Sequence, residues 1–342
     1  MNEIISNRGI RLVAIGGGTG LSTLLSGLKK FVGRQDEEVW LESLSAIVTV
    51  SDDGGSSGRL RDELQMLPPG DIRNCMIALS EDSTLLSRLF RHRFGGSGDL
   101  AGHSFGNLFL AALADVTGDF VEAVRLSSEV LASKGHIFPA TTTDVRLVAE
   151  LQDGRTVHGE TQITAAKSEI RSLRLEPDHC EPLPGALAAI RTADVITVGP
   201  GSLYTSILPN LLVSEVPDAI AESRGTKIFV TNLMTQPGET DGFDAQKHLA
   251  TVKKYAPQIQ FDYVLLNDRS ITEHQASLYA ADGAFQVTWA ESKPSTNGTG
   301  YGEIIRTNLL EEGEMVRHDP DKLARVVLAC GVQSPVPLPL TV

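Results

Sequence analysis

The stretch from Ile47 to Leu64 reads IVTVSDDGGSSGRLRDEL. An apolar run ends at two adjacent carboxylates, Asp52 and Asp53, which are followed by Gly54-Gly55-Ser56-Ser57-Gly58 and two arginines, Arg59 and Arg61. Neighbouring carboxylates repel each other unless a positive group sits beside them. Mg²⁺ meets that need because it takes one or two carboxylates together with phosphate oxygens, which makes Asp53 the candidate metal residue. Arg59 or Arg61 meets it as well, and the run is then a solvated acidic turn with a local ion pair.

Four other apolar runs end in the same way. Leu12–Ile15 enters Gly16-Gly17-Gly18-Thr19-Gly20, VITV enters Gly199-Pro200-Gly201-Ser202, KIFV enters Thr231-Asn232, and YVLL enters Asn267-Asp268. A glycine turn ahead of a helix lets backbone N–H groups approach a phosphate, and the helix adds its positive end. A tight strand–helix turn without a ligand uses the same residues. The dinucleotide fingerprint is incomplete. Counted from Gly16 its third glycine is Leu21, and counted from Gly18 it is Thr23, so a nicotinamide-dependent dehydrogenase is disfavoured. Two glycine turns on one sheet edge could hold a diphosphate between them, with Asp52 placed to meet a ribose hydroxyl. In PPGDIRN, Arg73 stands at a helix start and could clamp a phosphate, while Asp71 is placed to cap that helix. In GHSFGNL, His103 and Asn107 are spaced to share one helix face. No histidine pair has zinc-ligand spacing, and no P-loop lysine is present.

These loops need strands to hold them. The apolar runs at Leu12–Ile15, Leu44–Val50, Asp194–Val198, Lys227–Val230 and Tyr263–Leu266 read as strands. Helical spacing follows Ser22 and recurs at Leu85–Phe94, His103–Val116, Phe120–Leu131, Pro184–Arg191, Phe243–Val252 and Pro320–Leu328. Strands alternating with helices predict an α/β, Rossmann-like three-layer fold with a mainly parallel sheet. The segment at about 141–180 alternates instead and carries Asp153-Gly154, the mark of an antiparallel β-insertion. Both halves feed one sheet, so residues 1–342 form one domain, with an irregular tail at about 333–342.

Composition narrows the function. The chain has 342 residues, is 41% hydrophobic and 21% charged, and carries a net charge of −13, values of a globular protein that argue against a general nucleic-acid binder. Three scattered cysteines fit a reducing compartment. No apolar run is long enough for membrane insertion. The expectation is a cytoplasmic protein, for which a symmetric homo-oligomer is the usual assembly.

GGGTGLSTLLSGLK, VTVSDDGGSSGRLR, PPGDIRN, GHSFGNL, VGPGSLYTSILPNLL and TNLMTQPGET occur in that order between Arg11 and about Asp268. Together they resemble the gluconeogenesis factor family, the YvcK-like branch of the CofD-like superfamily. The resemblance implies a Rossmann-like fold in a cytoplasmic bacterial protein. It also implies binding of a nucleotide-sugar such as UDP-N-acetylglucosamine, with no cofactor required, and a regulatory role in cell shape and carbon-source adaptation. In the related transferase branch, a phospholactyl group moves from a guanosine diphospholactate to a deazaflavin with Mg²⁺, and this phosphotransferase-like activity is the enzymatic alternative. The expected ligand residues are Gly16, Gly17, Gly18, Thr19, Gly20, Asp52, Arg73, His103, Asn107, Gly199, Gly201, Ser202 and Asn232.

Overall fold

The near-continuous apolar strands are those of a parallel sheet covered on both faces, and a computed structural model describing residues 9–81, 85–289 and 301–332 has that architecture. In chain order the first half contains β1 (Ile10–Gly16), α1 (Gly18–Leu28), β2 (Leu41–Val48), α2 (Gly55–Leu64), α3 (Gly70–Leu79), α4 (Leu85–Arg91), α5 (Phe105–Thr117), α6 (Phe120–Val130) and β3 (His136–Pro139). An inserted unit follows, with β4 (Arg146–Leu151), β5 (Thr156–His158), α7 (Glu160–Ala165) and β6 (Ile170–Glu176). The second half contains α8 (Pro184–Thr192), β7 (Val195–Val198), a π-helical turn (Leu203–Ile207), α9 (Leu208–Leu211), α10 (Val216–Glu222) and β8 (Thr226–Val230). It ends with α11 (Ala245–Tyr255), β9 (Phe261–Asn267), α12 (Glu273–Ala281), β10 (Tyr301–Thr307) and α13 (Pro320–Gly331).

The main sheet has the order β10-β9-β8-β7-β1-β2-β3, and its neighbours pair in parallel. Alternation along β1 sends Leu12 and Ala14 to one core and Val13 and Ile15 to the other. Leu21, Leu24, Leu25 and Leu28 form a single stripe on α1, and all four are fully buried. Each contributes about 1.5–3 kcal/mol of burial. Gly27, on the same helix, leaves the backbone open to Pro320 of α13.

β4, β5 and β6 make a separate antiparallel sheet in the order β5-β4-β6, and Asp153-Gly154 turns between β4 and β5. Leu147, Ala149, Leu173 and Leu175 of this sheet share a core with Leu249 and Val252 of α11. The insertion is therefore packed onto the sheet domain. Arg61 of α2 is 2% exposed and fastens its base, donating to the Val145 carbonyl at 2.6 Å and pairing with Asp144 at 2.5 Å.

Several expectations need correction. The glycine–serine run after Asp53 is not an open loop, because α2 begins at Gly55. α5 begins at Phe105, so His103 precedes the helix and does not share a helical face with Asn107. α4 ends at Arg91 rather than Phe94. β3, β10 and α12 were not anticipated, nor was α7 inside the insertion. The tail at about 333–342 lies outside the described residues. Among the described residues no helix is long and apolar enough to cross a membrane.

Candidate functional site

β1 and β7 are neighbours at the centre of the sheet. The chain continues from β1 toward β2 on one side, and from β7 toward β8 on the other. In open α/β sheets such a reversal is where ligands bind, in the crevice outside the carboxyl ends of the two strands. Gly18 starts α1 with φ +60°, in the left-handed region, and Gly199 leaves β7 with φ +84°. The two turns touch. A Cβ on Gly20 would lie 2.5 Å from the Pro200 carbonyl oxygen, and one on Gly201 would lie 3.4 Å from the Gly17 oxygen. Gly16 through Gly20 and Gly199 through Ser202 therefore stand on one rim, and Gly20 is a glycine because the second turn rests on it.

Side chains from the second half fix this arrangement. Asn210 Nδ2 donates to the Gly16 carbonyl at 3.0 Å and to the Ser206 carbonyl at 2.7 Å, which binds the end of β1 to the helix after the second turn. Ser202 does not cap that helix. Its hydroxyl accepts from Gln236 Nε2 at 2.6 Å, tying the second turn to the loop after β8. Asn232, at the end of β8, has a buried Oδ1 without a partner among the described residues. Thr19 carries no ligand-like side-chain contact, but its carbonyl accepts from Ser22 and Thr23 within α1.

The first turn already holds an anion of the protein's own. Asp71 is in the first turn of α3, whose N-cap is Pro69, and it makes no cap there. Its carboxylate accepts from the Gly18 N–H instead. A Cβ on Gly17 would come within 2.5 Å of its Oδ2. Burial, and next the charge of Asp52, push Asp71 up to about 6, against the pull of the Gly18 N–H and Arg73. Asp52 accepts from the Gly54 N–H at 2.8 Å, and its other oxygen lies beside Gly70, where a Cβ would approach to 2.8 Å. Asp53 faces elsewhere. Its Oδ1 accepts from the Thr161 N–H at 2.9 Å and the Thr161 hydroxyl at 2.8 Å, which places it at the start of α7.

The other side of the crevice is basic and polar. His103 Nδ1 lies 2.9 Å from Ser56 Oγ, and that oxygen also faces Asn107 Nδ2 at 3.1 Å and the Ser104 N–H at 3.4 Å. With two N–H donors directed at it, the hydroxyl gives its own proton to His103 Nδ1 and so fixes the neutral Nε2–H tautomer. Burial, then the charge of Arg59, lowers the His103 pKa and keeps the ring neutral. His103 and Asn107 therefore converge through Ser56, not through helical spacing. Arg73 has its stem against Gly106, its Nη2 on Asn74 Oδ1 at 2.6 Å, and a buried Nε without a partner among the described residues. Burial and the neighbouring Arg93 lower its pKa.

Two further carboxyl groups reach the acidic side. Glu160 of α7 is pushed up to about 9, by burial first and then by Asp52, Asp71, Glu239 and Asp53. Glu239 is pushed up to about 7 by burial; its Oε1 accepts from Thr164 at 3.0 Å, and its buried Oε2 has no partner among the described residues. Among the described residues no three His, Cys, Asp or Glu side chains converge into a metal-binding set. Sequence reasoning missed Ser56, Asn210, Gln236, Glu160 and Glu239 as site residues, and took Asp71 for a cap. Gln236 and Glu239 lie in the polar run after KIFV, where position alone was a usable signal.

A family model described as 2-phospho-L-lactate transferase CofD matches residues 12–309. The gluconeogenesis factor of Halalkalibacterium halodurans is 44% identical over 317 residues, covering 93% of this chain and 95% of that protein. The gluconeogenesis factor of Bacillus subtilis is 42% identical over 319 residues, covering 93% and 97%. A crystal structure of a Bacillus halodurans protein, at 43% identity, superimposes with a TM-score of 0.87 over 94% of this chain and 100% of that one. The Rossmann-like α/β architecture read from the strand–helix rhythm is thus shared with a solved relative. The chain belongs to the gluconeogenesis factor family within the CofD-like proteins.

Proposed function

We propose that the chain is a cytoplasmic regulatory protein that binds a nucleoside diphosphate sugar, of the UDP-N-acetylglucosamine type, in the crevice between β1 and β7. It adjusts growth and cell shape to gluconeogenic carbon sources. The observation that carries this reading is the contact between the two glycine turns at the strand-order reversal, where backbone N–H groups favour a diphosphate. The Gly18 N–H, already turned to a carboxylate, supports an anion preference there. Asp52 meets the ribose, and Arg73, His103 and Asn107 line the sugar side. A diphosphate next to Asp52 and Asp71 needs a counter-charge, which Mg²⁺ supplies. The crowded, upward-shifted carboxyl of Asp71 beside Asp52 fits that ion better than Asp53, whose Oδ1 is committed to Thr161. Calorimetry with UDP-N-acetylglucosamine tests the reading. Heat of binding is expected for wild type and a weaker complex for Asp52→Ala. A wild type that gives no heat at millimolar ligand, with or without Mg²⁺, refutes it.

The match to the transferase family model favours one enzymatic reading. In it an acceptor hydroxyl of a deazaflavin attacks the phospholactyl phosphorus, the phosphoanhydride bond breaks and GMP leaves. Such a transfer needs positioning and charge neutralisation more than a nucleophilic side chain. GMP release from a guanosine diphospholactate in the presence of the deazaflavin and Mg²⁺ tests it, and no release at high protein concentration excludes it.

A further inference from the structure

Acidic side chains outnumber lysines and arginines by 43 to 30, so the chain does not lack partners for its arginines. Arg11, Arg125 and Arg146 each pair with a carboxylate. Three others do not. Arg59 of α2 donates to the Asp99 and Ala101 carbonyls at 2.7 and 3.0 Å. Arg93 donates to the Gly102 carbonyl at 2.5 Å, and its backbone bridges to Ser104. Arg73 lays its stem against Gly106 and donates to the Asn74 amide oxygen at 2.6 Å, while its buried Nε has no partner among the described residues. Among the described residues none of the three has a carboxylate at ion-pair distance, and all three meet the stretch from Asp99 to Gly106.

That stretch is a fixed frame. The Phe94 N–H donates to the His103 carbonyl, the Gly102 N–H to the Phe94 carbonyl and the Phe105 N–H to the His92 carbonyl, each at 2.9 Å. It leads into α5, a helix of 13 residues whose N-cap Ser104 does not cap it; the Ser104 hydroxyl donates to the Phe90 carbonyl instead.

We propose that Arg59, Arg73 and Arg93, gathered at the start of α5, form a second anion subsite that takes a carboxylate or phosphate group in addition to the diphosphate at the glycine turns. This rests on the nucleotide-sugar reading above. A guanidinium carries five N–H donors. Arg59 uses two of them, and Arg73 and Arg93 one each, on neutral oxygens. Such oxygens orient a guanidinium without neutralising it, which leaves donors and charge for a planar anion. Asp52 and Asp71 act on Arg73 only from beyond ion-pair distance, while burial and the like charge of Arg93 lower its pKa. Like charges held together are a cost that an anion between them removes. The uncapped start of α5 adds its positive end. The anion belongs to the sugar side, next to neutral His103, and comes either as a carboxylate on the sugar itself or as a separate small anion beside it.

UDP-glucose and UDP-glucuronate differ only in a hydroxymethyl or a carboxylate on the same carbon, and calorimetry in chloride buffer at neutral pH compares them. If the ligand supplies the anion, the wild type should bind UDP-glucuronate about tenfold or more tightly, the value of a hydrogen bond to a charged group. Arg93→Gln should then bring the two within about twofold. Arg59 stands on a different element, so Arg59→Gln controls for local collapse around Arg93 and should narrow the preference likewise. If a separate anion fills the subsite, the wild type binds the two sugars alike. Millimolar phosphate then raises its melting temperature above that in chloride of equal ionic strength, and both variants lose the rise. A wild type with neither response overturns the inference, as does a response that both variants keep; binding of UDP-glucose in either case leaves the nucleotide-sugar reading intact. If no nucleotide-sugar binds, that reading fails, and the phosphate melts alone decide the inference.

Discussion

Replacing Asp71 with asparagine isolates the electrostatic cost of the crevice. The amide oxygen of the substituted side chain still accepts from the Gly18 N–H, so the turn keeps its partner while the charge disappears. Asp71 is raised from 3.8 to about 6 in the folded protein. A carboxyl raised on folding contributes stability that is complete below its unfolded pKa and lost as pH rises through the folded value. The loss therefore runs from about pH 4 to pH 6, and at neutral pH it reaches about 3 kcal/mol, from a shift of about two units at 1.36 kcal/mol each. Asp71→Asn escapes it. The variant should exceed wild type by about 1 kcal/mol at pH 4.5 and about 3 kcal/mol at pH 7.5. At about 2.1 cal/mol/K of unfolding entropy per residue, a chain of 342 residues gains about 1.4 °C per kcal/mol. Melting followed by circular dichroism should thus show an advantage of about 1 °C at pH 4.5 and about 4 °C at pH 7.5. An advantage that does not grow with pH, or a variant less stable than wild type at pH 7.5, refutes the assignment of Asp71 as a partly buried, destabilising carboxylate.

Gly20→Ala drives a methyl group into the Pro200 carbonyl; it should cost about 1–3 kcal/mol of stability and abolish nucleotide-sugar binding, read by melting and calorimetry. Arg61→Ala removes the donor to the Val145 carbonyl and the partner of Asp144; a loss of about 2–4 kcal/mol is expected, with proteolysis starting in the insertion. His318 is buried and held down to about 4, below its unfolded value, so its share of stability is present above pH 6.5 and lost as pH falls toward 4. His318→Gln should therefore lose about 2.4 kcal/mol less than wild type between pH 7 and pH 4.5, measured by urea unfolding at the two values.

What could be read in the sequence was what depends on neighbours along the chain. Alternating apolar runs and helical stripes located the central strands, because each is buried on both faces and carries its own signal. The edges were harder to see. β3 is only His136–Pro139, and β10 follows YGEIIRT with its residues mostly half-buried or exposed, so neither has the apolar run that marks a central strand. α7 lies between two strands of a hairpin-like unit and buries only Ile163, which leaves no helical stripe to detect. At the site, the glycine turns were legible because a turn is a local event. Asp71 was not, since a first-turn aspartate fits the grammar of a helix cap, and the competing partner, Gly18, is distant in sequence. Ser56 was likewise hidden. Its role comes from collecting His103, Ser104 and Asn107 across the space between α2 and α5.

The first turn of α3 explains how one crevice can be acidic on one side and basic on the other. Ile72 is fully buried and anchors the turn. That leaves Asp71 on the side of the glycine turn and Arg73 against Gly106 at the start of α5. Asp52, Glu160 and Glu239 extend the acidic side, while Arg93 and Arg59 extend the basic one toward His103. A ligand that is uniformly anionic fits only half of such a crevice. On the proposed reading, a diphosphate ligand would span both halves with a divalent ion offsetting the charge next to Asp71 and its uncharged hydroxyl-rich portion against Ser56, Asn107 and neutral His103. The division follows from the order Asp-Ile-Arg on a helix start, where the central residue must face the core and its neighbours must then diverge.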